Sequence, residues 1–344
     1  MLSTAINKQQ LNGFPVDMIS SRAVKTICLL VCASLLATLF STNVFDQARS
    51  AILDYLPTKH PQKPLSSVMS ITSVKHPDPV IILPSEEHTH TIIILHGLST
   101  NGSIFSAQLL QTALNSAGLI LPKVFPHVKF VFPSGGPRRC TALNNTMMNV
   151  WFDIATIDDR TIGENEQVEG LRESSVYLHE LVTAEIALLE SLGKGEQNLA
   201  LWGFSQGCAM GAWVMLSGGR KLGAFVGISG WLPFRRQIDR VVETEGEKEE
   251  KRRRVLALID DTISIPSLVD DSAAGKLAGF SMPAFLGHGL QDGKVKTQWG
   301  EEMRDSLRGL GIDVMWKGYE GLEHWWRAPE EIDDVVDFLR GKGF

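Results

Sequence analysis

The residues Gly203-Phe204-Ser205-Gln206-Gly207 set a serine between a strand-like run, 198–202, and a helix-like run, 208–216. A serine held on a tight strand-to-helix turn projects its hydroxyl clear of a sheet, which is how a hydroxyl nucleophile is exposed. Such a turn strains the backbone and brings helix against strand, so it needs neighbours without side chains, and Gly203 and Gly207 fill both places. The same turn aims the Gln206 backbone N–H, at a helix N-terminus, toward the spot where an oxyanion forms. A glycine-rich turn with Ser205 as a plain N-cap fits these five residues too. The rest of the chain has to separate the two readings.

A serine hydroxyl is a poor nucleophile at neutral pH and needs a base, itself oriented by a carboxylate. In hydrolases built on this turn the order along the chain is Ser, Asp, His, with each residue on a loop after a strand. Only His288 and His324 follow Ser205. His288 closes a strand-like run at 284–287 and is followed by Asp292, while His324 lies in Gly321-Leu322-Glu323-His324 after a run at 314–317. Ser205, Asp292 and His324 satisfy the order. Asp292 also reads as a turn aspartate before Gly293, and Asp260, Asp261, Asp270 and Asp271 are weaker candidates because none follows a clear strand. A second oxyanion donor is expected after an early strand, and Leu98 N–H, in Leu95-His96-Gly97-Leu98, is the candidate. His96 precedes the serine and is assigned an orienting role.

Apolar runs at 80–83, 91–95, 129–132, 199–202, 224–229, 284–287 and 314–317 alternate with amphipathic stretches at 103–117, 174–192, 205–216, 297–310 and 329–339. This rhythm predicts an α/β domain over 76–344 with a mostly parallel central sheet and helices on both faces. A charge-dense segment, 235–254, interrupts it and reads as a solvated helix or disordered insertion within about 235–280.

The chain has 344 residues, with 33 Lys plus Arg against 39 Asp plus Glu and a net charge of -6, which leaves no basic excess for a nucleic acid backbone. Cys28, Cys32, Cys140 and Cys208 show no metal-binding or disulfide-scaffold spacing. His88 and His90 share a strand face without a third ligand, so they read as surface histidines. Residues 1–75 form an extension of different character. Residues 26–45 carry no charge, and a membrane anchor ranks there above a buried helix or a cleaved signal peptide. Pro57, Pro61 and Pro64 mark a linker.

Leu95-His96-Gly97-Leu98, Trp151-Phe152-Asp153-Ile154, Gly203 to Gly207, Gly230-Trp231-Leu232-Pro233, His288-Gly289 with Asp292, and Gly321 to His324 occur in one order. In this the chain resembles the acyl-protein thioesterase family, also called the phospholipase/carboxylesterase family, from about residue 78 to its C-terminus. The resemblance implies an α/β-hydrolase fold, no cofactor or metal, and cleavage of acyl esters or thioesters through an acyl-enzyme. It implies Ser205 as nucleophile, Asp292 as acid, His324 as base, and Leu98 and Gln206 as oxyanion donors; Trp151 and Trp325 are the candidate substrate contacts. The expected substrate is an acylated protein or lipid ester, met by a cytoplasmic catalytic domain tethered through 26–45. A small-ester carboxylesterase, a lysophospholipase, or a membrane-tethered protein that binds lipid or a partner without turnover are the alternatives. Three departures stand out: Ser99-Thr100-Asn101-Gly102 where the family has Gly-Asp-Thr-Gly, Cys208 in place of a common glycine, and Trp325-Trp326 after the base where small residues are usual.

Overall fold

The computed structural model describes residues 75–263 and 277–344. The apolar run 26–45, with Cys28 and Cys32, the linker prolines, and Asp270 and Asp271 lie outside the described residues. Among the described residues no helix is long and apolar enough to cross a membrane.

Nine strands are present among them: β1 Val80–Ile82, β2 His90–Leu95, β3 Val128–Phe132, β4 Pro137–Cys140, β5 Thr146–Asn149, β6 Leu199–Phe204, β7 Ala224–Ile228, β8 Ala284–Gly289 and β9 Val314–Tyr319. Seven form one sheet in the order β1-β3-β2-β6-β7-β8-β9, parallel throughout except that β1 runs antiparallel to β3. Every residue of β3, β6, β7 and β8 is buried, as expected of strands covered on both faces. At the edge, β9 buries only Val314 and Tyr319.

The helices are α1 Gly102–Thr112, α2 Leu121–Val124, α3 Glu164–Ser191, α4 Gln206–Ser217, α5 Arg235–Val242, α6 Lys248–Ile263, α7 Thr297–Gly309 and α8 Glu330–Gly341. Where it is described, the charge-dense segment is neither disordered nor wholly solvated. Val255, Leu256, Ile259 and Ile263 give α6 a buried stripe that joins the main core, while Glu249–Arg253 and Glu250–Arg254 pair along its outer face. Helix α3 starts ten residues before the expected 174, and Gly170 permits this: a Cβ there would stand 2.5 Å from the Phe152 backbone. His88 and His90 bind Thr91 Oγ1 and Asn198 Nδ2 respectively.

Candidate active site

In a mostly parallel sheet the loops beyond the carboxyl ends of the strands form the natural crevice. Here β2, β6, β8 and β9 each deliver one part of a single cluster to that edge.

Ser205 follows β6 directly, with φ 56° and ψ −120°, a conformation that costs a non-glycine residue on the order of 1–3 kcal/mol. The turn is over-determined. Its N–H donates to Ile228 O at 2.8 Å, and the close packing of α4 leaves no room for side chains on either side: a Cβ on Gly203 would stand 2.2 Å from Gly207 O, and one on Gly207 would stand 2.2 Å from Leu95 O. Cys208 fills the space behind the turn, its Sγ abutting Gly227 and Gly230, and burial pushes its thiol pKa up. It packs and cannot supply a thiolate.

Ser205 Oγ lies 2.9 Å from His324 Nε2, and His324 Nδ1 lies 2.7 Å from Asp292 Oδ2. With Nδ1–H donating to the carboxylate, Nε2 is free to accept the serine proton. The other carboxylate oxygen, Oδ1, accepts from Lys294 N at 2.8 Å and Val295 N at 2.9 Å. Burial alone raises the pKa of this carboxyl, but hydrogen bonds from His288 and His324 outweigh it and hold the group well below the usual carboxylate range. His288 is buried, 3.4 Å from Asp292 Oδ2 through Nε2, which also lies 2.9 Å from Val295 O. The structure thus brings Ser205, Asp292 and His324 together. Asp260 and Asp261 sit exposed on α6.

The loop after β2 reaches the same point, since a Cβ on Gly97 would stand 3.3 Å from Ser205 Cβ. Among the described residues neither Leu98 N–H nor Gln206 N–H has an acceptor. Ser99 takes φ 62° where the family has glycine, and Asn101 caps α1 by accepting from Ile104 N. His96 is fully buried and neutral, its pKa pushed down to about 4 by desolvation. Gly135 N donates to its Nε2 at 2.9 Å, so its proton is on Nδ1, directed at Gly97 O 2.7 Å away. It orients the loop and has no free lone pair for base catalysis.

Trp151 was expected to meet substrate, but it is wholly buried. Its Nε1 donates to His96 O at 2.8 Å and its N donates to Gln206 Oε1 at 3.0 Å, while Gln206 Nε2 donates to Phe152 O at 2.7 Å. Trp151 therefore ties the two donor segments together from beneath. Trp325 is half-buried beside the base: it stacks on Trp326 with centroids 4.0 Å apart and meets Phe204 edge-on at 5.5 Å, and Phe204 lies 5.1 Å from the His324 ring. The Gln206 side-chain tie, the Lys294 and Val295 amides and His288 escaped sequence reasoning. A glutamine at the elbow, whose amide can accept from one backbone N–H and donate to a neighbouring carbonyl, was the one local signal of the first.

A family model described as phospholipase/carboxylesterase matches residues 76–246. The acyl-protein thioesterase 1 of Gibberella zeae is 29% identical over 266 residues, spanning 76% of this chain and 94% of the relative. This chain belongs to the phospholipase/carboxylesterase family of α/β-hydrolases. The acyl-protein thioesterase 1 of Cryptococcus neoformans is 28% identical over 284 residues, covering 78% of this chain and 97% of its own. Among solved structures, acyl-protein thioesterase 2 of Zea mays superposes with a TM-score of 0.55 at 26% identity, over 77% of this chain and 98% of that one. Family membership accounts for the sheet order and the elbow.

Proposed function

We propose that the protein is a serine hydrolase that removes acyl groups from ester or thioester substrates, acylated proteins or lipid esters among them, by way of an acyl-enzyme. The single observation that carries this reading is the hydrogen-bonded chain Ser205 Oγ, His324 Nε2, His324 Nδ1, Asp292 Oδ2, with links of 2.9 and 2.7 Å. Ser205 Oγ attacks the acyl carbonyl carbon as its proton passes to His324 Nε2. The carbonyl oxygen becomes an oxyanion that accepts from Leu98 N–H and Gln206 N–H. The carbon–sulfur or carbon–oxygen bond breaks, and His324 returns the proton to the departing thiolate or alkoxide. Water then gives its proton to His324 and attacks the acyl-serine carbonyl carbon, and as the bond from that carbon to Ser205 Oγ breaks His324 returns the proton to Oγ and the acid leaves. Asp292 stays ionised throughout, fixing the tautomer and stabilising the imidazolium.

The aromatic wall of Phe204, Trp325 and Trp326 supports a compact acyl group over a long chain, because bulky ring systems packed beside the base take up space there. The proposal extends to location, a cytoplasmic catalytic domain tethered by residues 26–45, supported by an uncharged run of about 20 residues, the length that spans a bilayer.

Labelling with a fluorophosphonate probe, followed by hydrolysis of thioester and oxygen-ester pairs of increasing chain length, tests the reaction. Wild type should label and turn over short acyl groups fastest, and Ser205→Ala should do neither. A wild-type protein that binds esters without labelling would establish the non-catalytic alternative. Carbonate washing of fractionated full-length protein tests the tether, which is wrong if all the protein is soluble.

A further inference from the structure

Beside the serine centre, a cavity of about 230 Å³ opens among the 158–161 loop, the segment after β7 and the start of α7. Two of its walls begin at the active centre. A Cβ on Gly230, next to the wall residue Trp231, would stand 3.4 Å from Ser205 O, and the Asp292 loop runs through Val295 to the wall residue Lys296.

Arg160 forms its base. The side chain is 8% exposed, and its guanidinium carbon lies 4.8 Å from the centroid of the Trp231 ring and 5.6 Å from that of Trp299. Nη1 donates to Thr156 O at 2.6 Å, Nε has no acceptor, and among the described residues Arg160 makes no ion pair. Burial lowers its pKa to about 10, so it remains charged at neutral pH. Nε is buried out of solvent's reach, so Nη2 is the donor of this planar cation left to meet an oxygen of an anion in the cavity.

Among the described residues no acidic side chain forms an ion pair with Arg160. Glu302 is engaged by Arg235 at 3.1 Å, Asp159 Oδ1 accepts from both the N–H and the hydroxyl of Thr161, and Glu164 accepts from Gln237. Asp158 and Asp159 line the cavity together with Lys296 and Arg236, so the unpaired buried charge is that of Arg160. Lys296 Nζ donates to the Asp158 backbone carbonyl at 3.2 Å and lies over the Trp299 ring, and Arg236 makes no ion pair among the described residues.

We propose that this cavity is an oxyanion subsite, in which a carboxylate or phosphate carried by the substrate accepts from Arg160 Nη2 with Lys296 and Arg236 beside it. The centre then selects acyl esters bearing an anionic group over neutral ones of equal length. Only this kinetic consequence rests on the hydrolase reading of Ser205; binding of the anion does not need turnover.

The test uses the full-length chain in two arms. In the first, Ser205→Ala protein is titrated with monomethyl glutarate, hexyl phosphate and neutral methyl valerate, followed by tryptophan fluorescence, to which Trp231 and Trp299 contribute. Saturable binding of one or both anions is expected, weakened by added salt, with methyl valerate inert and with about tenfold or greater loss on adding Arg160→Gln. The two anions report which oxyanion fits. Should Arg160→Gln fail to fold by circular dichroism, Lys296→Gln with Arg236→Gln at the mouth carries the comparison, with a smaller loss expected. In the second arm, wild type hydrolyses the p-nitrophenyl monoester of glutaric acid and p-nitrophenyl valerate, and the ratio of their kcat/KM values should favour the anionic ester and fall in the variants. Equal binding of neutral and anionic ligands, or affinities indifferent to Arg160, Lys296 and Arg236, would overturn the subsite. Binding of the anion with neither ester hydrolysed would overturn the Ser205 reading and leave the subsite standing.

Discussion

Ser205 and His324, the proposed nucleophile and base, are held by different means. Ser205 sits on a turn fixed by backbone packing, where glycines on either side leave atoms 2.2 Å from any added Cβ. His324 sits on a loop held by side chains as well as backbone: Trp325 and Trp326 stack on each other and meet Phe204 edge-on, Gln291 Nε2 reaches Glu320, Gln291 N donates to Leu322 O at 3.0 Å, and a Cβ on Gly289 would stand 2.4 Å from Leu322 O. The elbow is held almost wholly by close backbone packing, whereas the His324 loop adds a set of aromatic and polar side-chain contacts to its backbone ones. The aromatic contacts are the part that a single substitution can change without moving the elbow.

The two halves can be broken one at a time. Ser205→Ala should lower turnover by on the order of 10⁴-fold or more, and Asp292→Asn, which favours the wrong His324 tautomer, by roughly as much. Because the halves act as one unit, the double variant should be no worse than Ser205→Ala; multiplicative losses in steady-state kinetics would show that they act separately.

Gly207→Ala probes the elbow without touching the chemistry. Its methyl meets the Leu95 carbonyl, so a loss of about 3 kcal/mol or more is expected by chemical denaturation, at or beyond the usual cost of overpacking. A soluble variant of wild-type stability would mean that the elbow can relax.

Trp325→Ala acts on the other half. It should shift acyl preference toward longer chains by on the order of tenfold in kcat/KM while the fold is kept. An unchanged chain-length profile would remove Trp325 from the substrate wall.

The smallest effect concerns pH. Glu331 is fully buried and its Oε1 has no partner, and burial raises its pKa to about 8 from an ordinary 4.5. The folded state therefore holds a proton that the unfolded chain releases, so this group's contribution is complete below about pH 4.5 and lost as pH rises through about 8. Thermal melts should show wild-type Tm falling over that window more steeply than Glu331→Gln. Parallel curves would mean that Glu331 does not titrate there.

The same contrast explains what could be read from the sequence. All seven strands of the main sheet were legible because each is an apolar run bounded by turn residues, and the elbow was legible because its constraints are local. The β4–β5 hairpin was not, since Pro137–Cys140 and Thr146–Asn149 are mostly polar or exposed; its one cue was Asn144-Asn145, both with positive φ. The apolar stripe of α6 was masked by the charges that precede it. Trp151 was misread because a motif position says nothing about which way an indole faces. The Arg160 cavity was invisible because Trp231 and Trp299, which flank the guanidinium, are far apart in the chain.

The bond between Ser205 and His324 spans 119 residues of chain. At about 5–20 residues per second, Ser205 is made roughly 6–24 s before its hydrogen-bond partner His324. A nascent chain that stops short of residue 324 therefore carries the elbow without the imidazole that completes the cluster, and the bond forms only once β9 and the loop after it have been made.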